Sequence, residues 1–280
     1  RFIFVAKVAR ESGFTGIQIH SAHGYLLSEF LSPDINKRTD EWGGSLENRT
    51  RIHVEIIKGI RKALGNDFPI SLKLNSADFQ KGGFSPADAL ESARIMESAG
   101  IDLLEISGGT YEQPRLLGLD NLSINPERSE NRKSSSIARE AYFLDYAEKI
   151  KKSISIPIIV TGGFRTKDAM ESSIKSNACQ MIGVGRPLCA DPQSIRKLLS
   201  GQIKELLTYE KSLSLGPWIL SPSSPFRLIQ AINGFGTQAW CYQQIKRMAR
   251  NEKPDLNMSV FSALKNDIRD DLASFKALKS

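Results

Sequence analysis

Two of the chain's three histidines, His20 and His23, stand three residues apart at the end of an apolar stretch, Gly16-Ile17-Gln18-Ile19-His20-Ser21-Ala22-His23-Gly24-Tyr25. If the chain turns after His20, both imidazoles can point at one small atom. Three uses suit such a pair. As hydrogen-bond donors they would hold a substrate oxygen and stabilise charge developing on it. As metal ligands they would need a third His or a carboxylate, and no HExxH-type motif supplies one. As packing residues they would be poor choices for a strand end. Lys73 lies on the polar side of a second apolar stretch, 70–75. A lysine turned into an interior needs an anionic partner, and Glu105, on the polar side of a third stretch, is one candidate.

Strands must carry these residues. They are expected at about 16–20, 70–75, 101–107, 156–161 and 179–184, with amphipathic helical stretches at 2–12, 51–64, 86–99, 137–152 and 167–177. Ser85-Pro86-Ala87-Asp88 reads as an N-cap, a proline at the first helical position and an acid three residues on. Alternating β and α elements imply a parallel sheet with right-handed crossovers. The strand faces choose between an open sheet and a barrel. Gln18 and His20 oppose Ile17 and Ile19; Ser71, Lys73 and Asn75 oppose Ile70, Leu72 and Leu74; Glu105 and Ser107 oppose Leu104 and Ile106. Strands between two helix layers are apolar on both faces, whereas one polar face suits the inside of a barrel.

The expected fold is therefore α/β, a (β/α)8 TIM barrel represented by about its last five βα units. Roughly three further units are expected upstream of Arg1. Residues 1–200 are read as the partial barrel. Residues 201–280, with helical patterns at 225–232, 238–250 and 259–276, are read as a helical C-terminal extension. Barrel function gathers past the C-terminal strand ends, where His20, His23 and Tyr25 fall, and phosphates sit on the loops after the last two strands. Those strands end in Thr161-Gly162-Gly163-Phe164-Arg165 and Gly183-Val184-Gly185-Arg186-Pro187. Gly162, Gly163 and Gly185 would let backbone N–H groups approach a phosphate, and Arg186 would add a charge-assisted contact.

IHSAHGYLLSEFLSP followed by NKRTDEWGGSLENR resembles the HxxH/N-G-Y and RTD-x-x-GGSLENR blocks of the Old Yellow Enzyme family, and the likeness runs through residues 1–200. The resemblance implies an FMN-dependent oxidoreductase. NADH or NADPH would reduce a non-covalently bound flavin, which passes hydride to an activated alkene such as an α,β-unsaturated carbonyl or nitro compound. It implies that His20 and His23 hydrogen-bond the substrate's carbonyl or nitro oxygen and that Tyr25 protonates the α-carbon. A packing role is the plain alternative for Tyr25. It implies that Lys73 approaches the N1/O2 edge of the flavin, in competition with the Glu105 ion pair, and that Gly162, Gly163, Gly185 and Arg186 hold the FMN phosphate. Same-fold alternatives are dienoyl reduction or demethylation, although the closely spaced cysteines of iron–sulfur relatives are absent. Another is a truncated, catalytically impaired barrel. Asp40 and Arg49, in the same block, are expected to be a loop-fixing polar pair.

The net charge of +7 raises nucleic acid as a partner, but the basic residues are scattered and no RRM or C2H2 signature occurs. A small anionic ligand accounts for the excess equally well. A small-molecule substrate is expected, with no nucleic-acid or membrane partner; a homo-oligomer is left open. No run approaches the ~18 apolar residues of a span, the start lacks a signal-peptide pattern, and Cys179, Cys189 and Cys241 fit no zinc or redox spacing. These features are read as cytoplasmic. His53 is expected to face solvent from its helix, Gly108–Tyr111 to form a turn or border the site, and Trp218, Trp240 and Tyr242 to pack on the barrel.

Overall fold

The computed structural model describes residues 1–108 and 143–278. Five parallel strands, β1 (Ile17–Ser21), β2 (Ile70–Asn75), β3 (Leu103–Ser107), β4 (Ile158–Thr161) and β5 (Met181–Gly183), hydrogen-bond in their chain order. Around them run α1 (Phe2–Glu11), α2 (Leu26–Leu31), α3 (Leu46–Leu64), α4 (Pro86–Ala99), α5 (Leu144–Lys151) and α6 (Lys167–Lys175). The expected helical stretch at 137–142 and the segment Gly109–Tyr111 lie outside the described residues.

Local chemistry sets the helix starts. Ser85 accepts from the Asp88 N–H while Asp88 accepts from the Ser85 N–H, a reciprocal capping box with Pro86 at the first position. The same helix ends on Gly100, whose φ of 110° is left-handed. Ser45 caps α3 by accepting from the Asn48 N–H.

The two faces of the sheet differ as their sequences demand. Ile70, Leu72, Leu74, Leu104, Ile106, Ile158 and Val160 are all fully buried, in one core with Ile57 and Ile60 of α3 and Met96 of α4. Each such side chain contributes about 1.5–3 kcal/mol through burial, so this face holds the helices to the sheet. The opposite face carries the polar set, and the register puts His20, Lys73 and Glu105 side by side on neighbouring strands.

The buried face of α3 differs from the stripe Ile52–Ile56–Ile60–Leu64. It runs through Arg49, Thr50, His53, Ile56, Ile57, Ile60 and Leu64. His53 is therefore fully buried rather than solvent-facing, and its Nε2 lies 2.7 Å from Ser21 Oγ. Steps of four residues drift around a helix with 3.6 residues per turn, which turns the centre of the packed face toward His53. Asp40 and Arg49 do not pair. Asp40 holds exposed Arg38, and buried Arg49 donates to the carbonyls of Leu31 and Gly44 and reaches Asp88 at 3.5 Å.

Two compact units are present, Arg1–Phe164 with Asp168–Gly183, and Arg165–Lys167 with Val184–Ser280. The second contains α7 (Arg186–Ala190), α8 (Ser194–Leu199), α9 (Arg227–Ala249) and α10 (Val260–Ala277). The patterns at 225–232 and 238–250 are thus one helix. Gly236, within it, is a packing contact and not a break: a Cβ there would stand 2.2 Å from Val260 Cγ1 on α10. Trp240 is buried in this unit's core, stacked on Tyr209 at 6.1 Å and donating to the Met258 carbonyl. Trp218 is 88% exposed. The thiols of Cys189 on α7 and Cys241 on α9 lie near enough to perturb each other's ionisation despite their separation in sequence. Among the described residues no helix is long and apolar enough to cross a membrane.

Candidate active site

The site is built at the C-terminal ends of β1, β2 and β3. Past Ser21 the chain reverses through two left-handed residues, His23 at φ 65° and Gly24 at φ 78°. Histidine is among the few side chains that tolerate this region. The reversal leaves Tyr25 as the N-cap of α2, with its carbonyl accepting from the Glu29 N–H and the Ser28 hydroxyl. Three rings converge as a result. The His20 ring lies 5.3 Å from that of His23, edge to face, and 5.1 Å from that of Tyr25.

His23 is held at two points. Its N–H donates to Asn75 Oδ1 at 3.1 Å, and Asn75 is oriented in turn by donating to Asp78 Oδ1 at 3.1 Å. Its Nε2 lies 2.8 Å from the hydroxyl of Ser107. Asn75 and Ser107 are register partners, so the ends of β2 and β3 clamp the histidine together. Burial pushes the His23 imidazolium down to a pKa of about 3, with Lys73 and then His20 adding to the effect. Burial also lowers that of His20, helped by Lys73 and opposed by Glu105. Both imidazoles are thus neutral near pH 7 and can donate through one N–H each.

Beneath them Lys73 Nζ lies 2.9 Å from Glu105, with both side chains largely buried. Gln18 donates to the same carboxylate at 2.7 Å and to Ser71 at 3.1 Å. Burial pushes the Glu105 pKa up, but hydrogen bonds from Thr161, Lys73 and Gln18 and the Lys73 charge outweigh it, and the group is held below the usual range. The Glu105 ion pair is therefore formed. It uses one of the three N–H donors of Lys73, so it leaves a cation that can also meet an electron-rich ligand edge.

The glycine-rich strand ends divide between the units. In the first, Gly162 (φ 131°) and Gly163 (φ 85°) follow β4 in conformations that disfavour any side chain. In the second, Gly185 precedes α7 with open space where a Cβ would be. Arg186 opens that helix and reaches Glu210 at 3.3 Å, a carboxylate that Arg165 also holds at 2.5 Å. Within the first unit the residues present fit a flavin: a cation on the polar sheet face and a backbone turn free of side chains. Sequence reasoning named the rings and Lys73 but missed the positioning roles of Ser107, Asn75 and Asp78. Their signal is the polar residue that ends each strand or follows it, which alternation alone does not distinguish from a turn.

Residues 1–205 match the NADH:flavin oxidoreductase / NADH oxidase family. The chain belongs to this family. Flavin and nicotinamide, expected from the sequence, are the cofactors of the NADH:flavin oxidoreductases, and the likeness to Old Yellow Enzyme holds. The chain is 38% identical over 193 residues to the NADH-dependent flavin oxidoreductase iccE of Talaromyces variabilis, covering 69% of this chain and 45% of that protein. It superposes on a 2-naphthoyl-CoA reductase bound to 2-naphthoyl-CoA with a TM-score of 0.63 and 33% identity, over 73% of this chain and 29% of that one. The Old Yellow Enzyme homologue of Zymomonas mobilis, at 21% identity, matches in fold with a TM-score of 0.55, over 72% of this chain and 51% of that one. The five strands are thus part of a (β/α)8 barrel. The chain spans between 24% and 46% of the curated relatives it matches first.

Proposed function

We propose that this chain carries the substrate-polarising half of an ene-reductase, an enzyme that adds hydride and a proton across an alkene conjugated to a carbonyl or nitro group. The observation that supports it most is the convergence of His20, His23 and Tyr25, two neutral imidazoles and a phenol, at one strand end. Lys73 would hold the N1/O2 edge of FMN, and the Gly162-Gly163 turn after β4 would meet its phosphate. When bound, FMN supplies hydride, drawn from NADH or NADPH, to the β-carbon of the alkene.

The chain's own residues do the rest. Hydride addition moves the alkene π electrons toward the carbonyl or nitro oxygen, and the N–H groups of His20 and His23 stabilise the negative charge gathering there. Neutral donors suit this step, because they need not lose a proton and leave the oxygen free to return its charge to carbon. Tyr25 then gives its phenolic proton to the α-carbon and recovers one from solvent, which its half-exposed position allows. Lys73 offsets negative charge on the ligand below, while Glu105 keeps the polar face from carrying an uncompensated cation.

Replacing Tyr25 by Phe tests the assignment. In stopped flow, flavin reduction by nicotinamide is expected to persist while alkene reduction slows by roughly 10²-fold or more. Equal slowing of both half-reactions would remove Tyr25 from the mechanism.

A further inference from the structure

His23 can serve a substrate oxygen through only one of its nitrogens. Nε2 is taken by Ser107 Oγ at 2.8 Å, which leaves Nδ1. A neutral imidazole carries one proton, so Nδ1 is a donor only if Nε2 is an acceptor. The partner at Nε2 therefore decides what His23 can do. A hydroxyl can play either part.

The surroundings of Ser107 remove the ambiguity. Its side chain is fully buried, and among the described residues its hydroxyl meets no acceptor besides His23 Nε2. Were Nε2–H to donate to Ser107, the hydroxyl proton would be left buried without a partner among the described residues, at the desolvation cost of that group. With Ser107 donating, the hydroxyl is satisfied and the proton of the imidazole must reside on Nδ1. The backbone agrees with a fixed ring. The left-handed φ of His23 and the Asn75 acceptor on its N–H anchor the residue from the other side.

We propose that Ser107 is a positioning residue that donates to His23 Nε2 and fixes His23 as the Nδ1–H tautomer, the form that offers a donor to the substrate oxygen. The second half of this statement rests on the function proposed above; the first half does not. His20 has no such partner among the described residues, so the two donors of the pair differ in kind. One is preset by the protein, and the other adopts its tautomer when the oxygen arrives.

Nitrogen-15 correlation spectra of the chain labelled at histidine read the tautomers directly. Three imidazoles contribute, and single His→Gln variants assign them. His23 is expected to carry its proton on Nδ1, Ser107→Ala to move it wholly or partly to Nε2, and Ser107→Thr, which keeps the hydroxyl, to restore it. An Nε2–H tautomer in the unsubstituted chain overturns the proposal without any variant, as does Nδ1–H retained in Ser107→Ala. In the FMN-loaded protein, Ser107→Ala is expected to weaken 4-chlorophenol binding by roughly tenfold or more. A tautomer change with undiminished affinity would uphold the Ser107 contact and overturn the donor role of His23. Failure of the ene-reductase reading shows separately, in the Tyr25→Phe half-reactions.

Discussion

His23 and His53 sit on opposite faces of one sheet and share almost every local property. Each ring places Nε2 against a serine hydroxyl, Ser107 at 2.8 Å and Ser21 at 2.7 Å. Each is driven down to a pKa of about 3, chiefly by burial. They differ at the second nitrogen. Nδ1 of His53 is sealed inside the helix layer without a hydrogen-bond partner among the described residues, whereas His23 is only partly buried and its Nδ1 is not sealed in this way. The same imidazole–serine pair is thus a closed structural joint on one face and an open hydrogen-bond donor on the other. Burial and a lowered pKa do not mark a functional histidine. Access to its remaining nitrogen does.

The contrast breaks most visibly if the open pair is removed. His20→Ala combined with His23→Ala should slow alkene turnover by roughly 10²–10³-fold, as loss of charge-stabilising donors does elsewhere, with little change in urea unfolding. His53→Ala should do the reverse. It leaves a cavity and an unsatisfied Ser21 hydroxyl, for a loss of about 3 kcal/mol in equilibrium unfolding, with 4-chlorophenol affinity of the FMN-loaded protein unchanged. A His53 variant that lost ligand affinity as severely as the His20/His23 variant would abolish the distinction between the faces.

Acid should report the joint as well. The folded pKa of His53 lies below its unfolded value of 6.5, so between about pH 3 and 6.5 the unfolded chain binds more protons than the folded one. Its contribution is fully present above pH 6.5 and is lost as pH falls toward 3. His53→Leu should flatten the dependence of the urea midpoint on pH in that window; an unchanged slope would assign the acid sensitivity to other groups. The smallest effect sharpens the polar face. A Cβ on Gly183 would stand 1.8 Å from Thr161 Oγ1, and the Thr161 hydroxyl supports Glu105. Gly183→Ala should cost about 1–3 kcal/mol through overpacking, against a near-zero change for Gly185→Ala, whose Cβ meets open space. Equal costs in thermal unfolding would show that β5 relaxes freely.

Much of this organisation is legible in the residues. The bounds of β2 and α4 follow from alternation and from the Ser85–Asp88 box, because both signals are local. The ring cluster is legible for the same reason, as strand end, turn and helix cap fall within a few residues. What the sequence hides is set by contacts across the chain. His53 reads as a polar residue beside an apolar stripe until Ser21 supplies its partner. Gly236 reads as a helix break until Val260 fills the space a side chain would need. Arg49 reads as a mate for Asp40, its neighbour in sequence, but satisfies carbonyls at Leu31 and Gly44 instead. Hydrophobic periodicity states which face is buried. It does not state against what.

The left-handed backbone at position 23 restricts which residues can stand there. The conformation favours Gly, Asn, Asp and His over all others, and of these only His and Asn bring a neutral N–H to a substrate oxygen. The two differ in what they require of their neighbours. A histidine is a donor from Nδ1 in only one of its two neutral forms and so depends on the hydroxyl at 107, whereas an asparagine amide is a donor in its only form. His23→Asn should therefore release position 107 from its constraint, and Ser107→Ala, damaging beside histidine, should become nearly silent beside asparagine. The two positions lie 84 residues apart in the chain, yet the choice of letter at one sets the choice at the other.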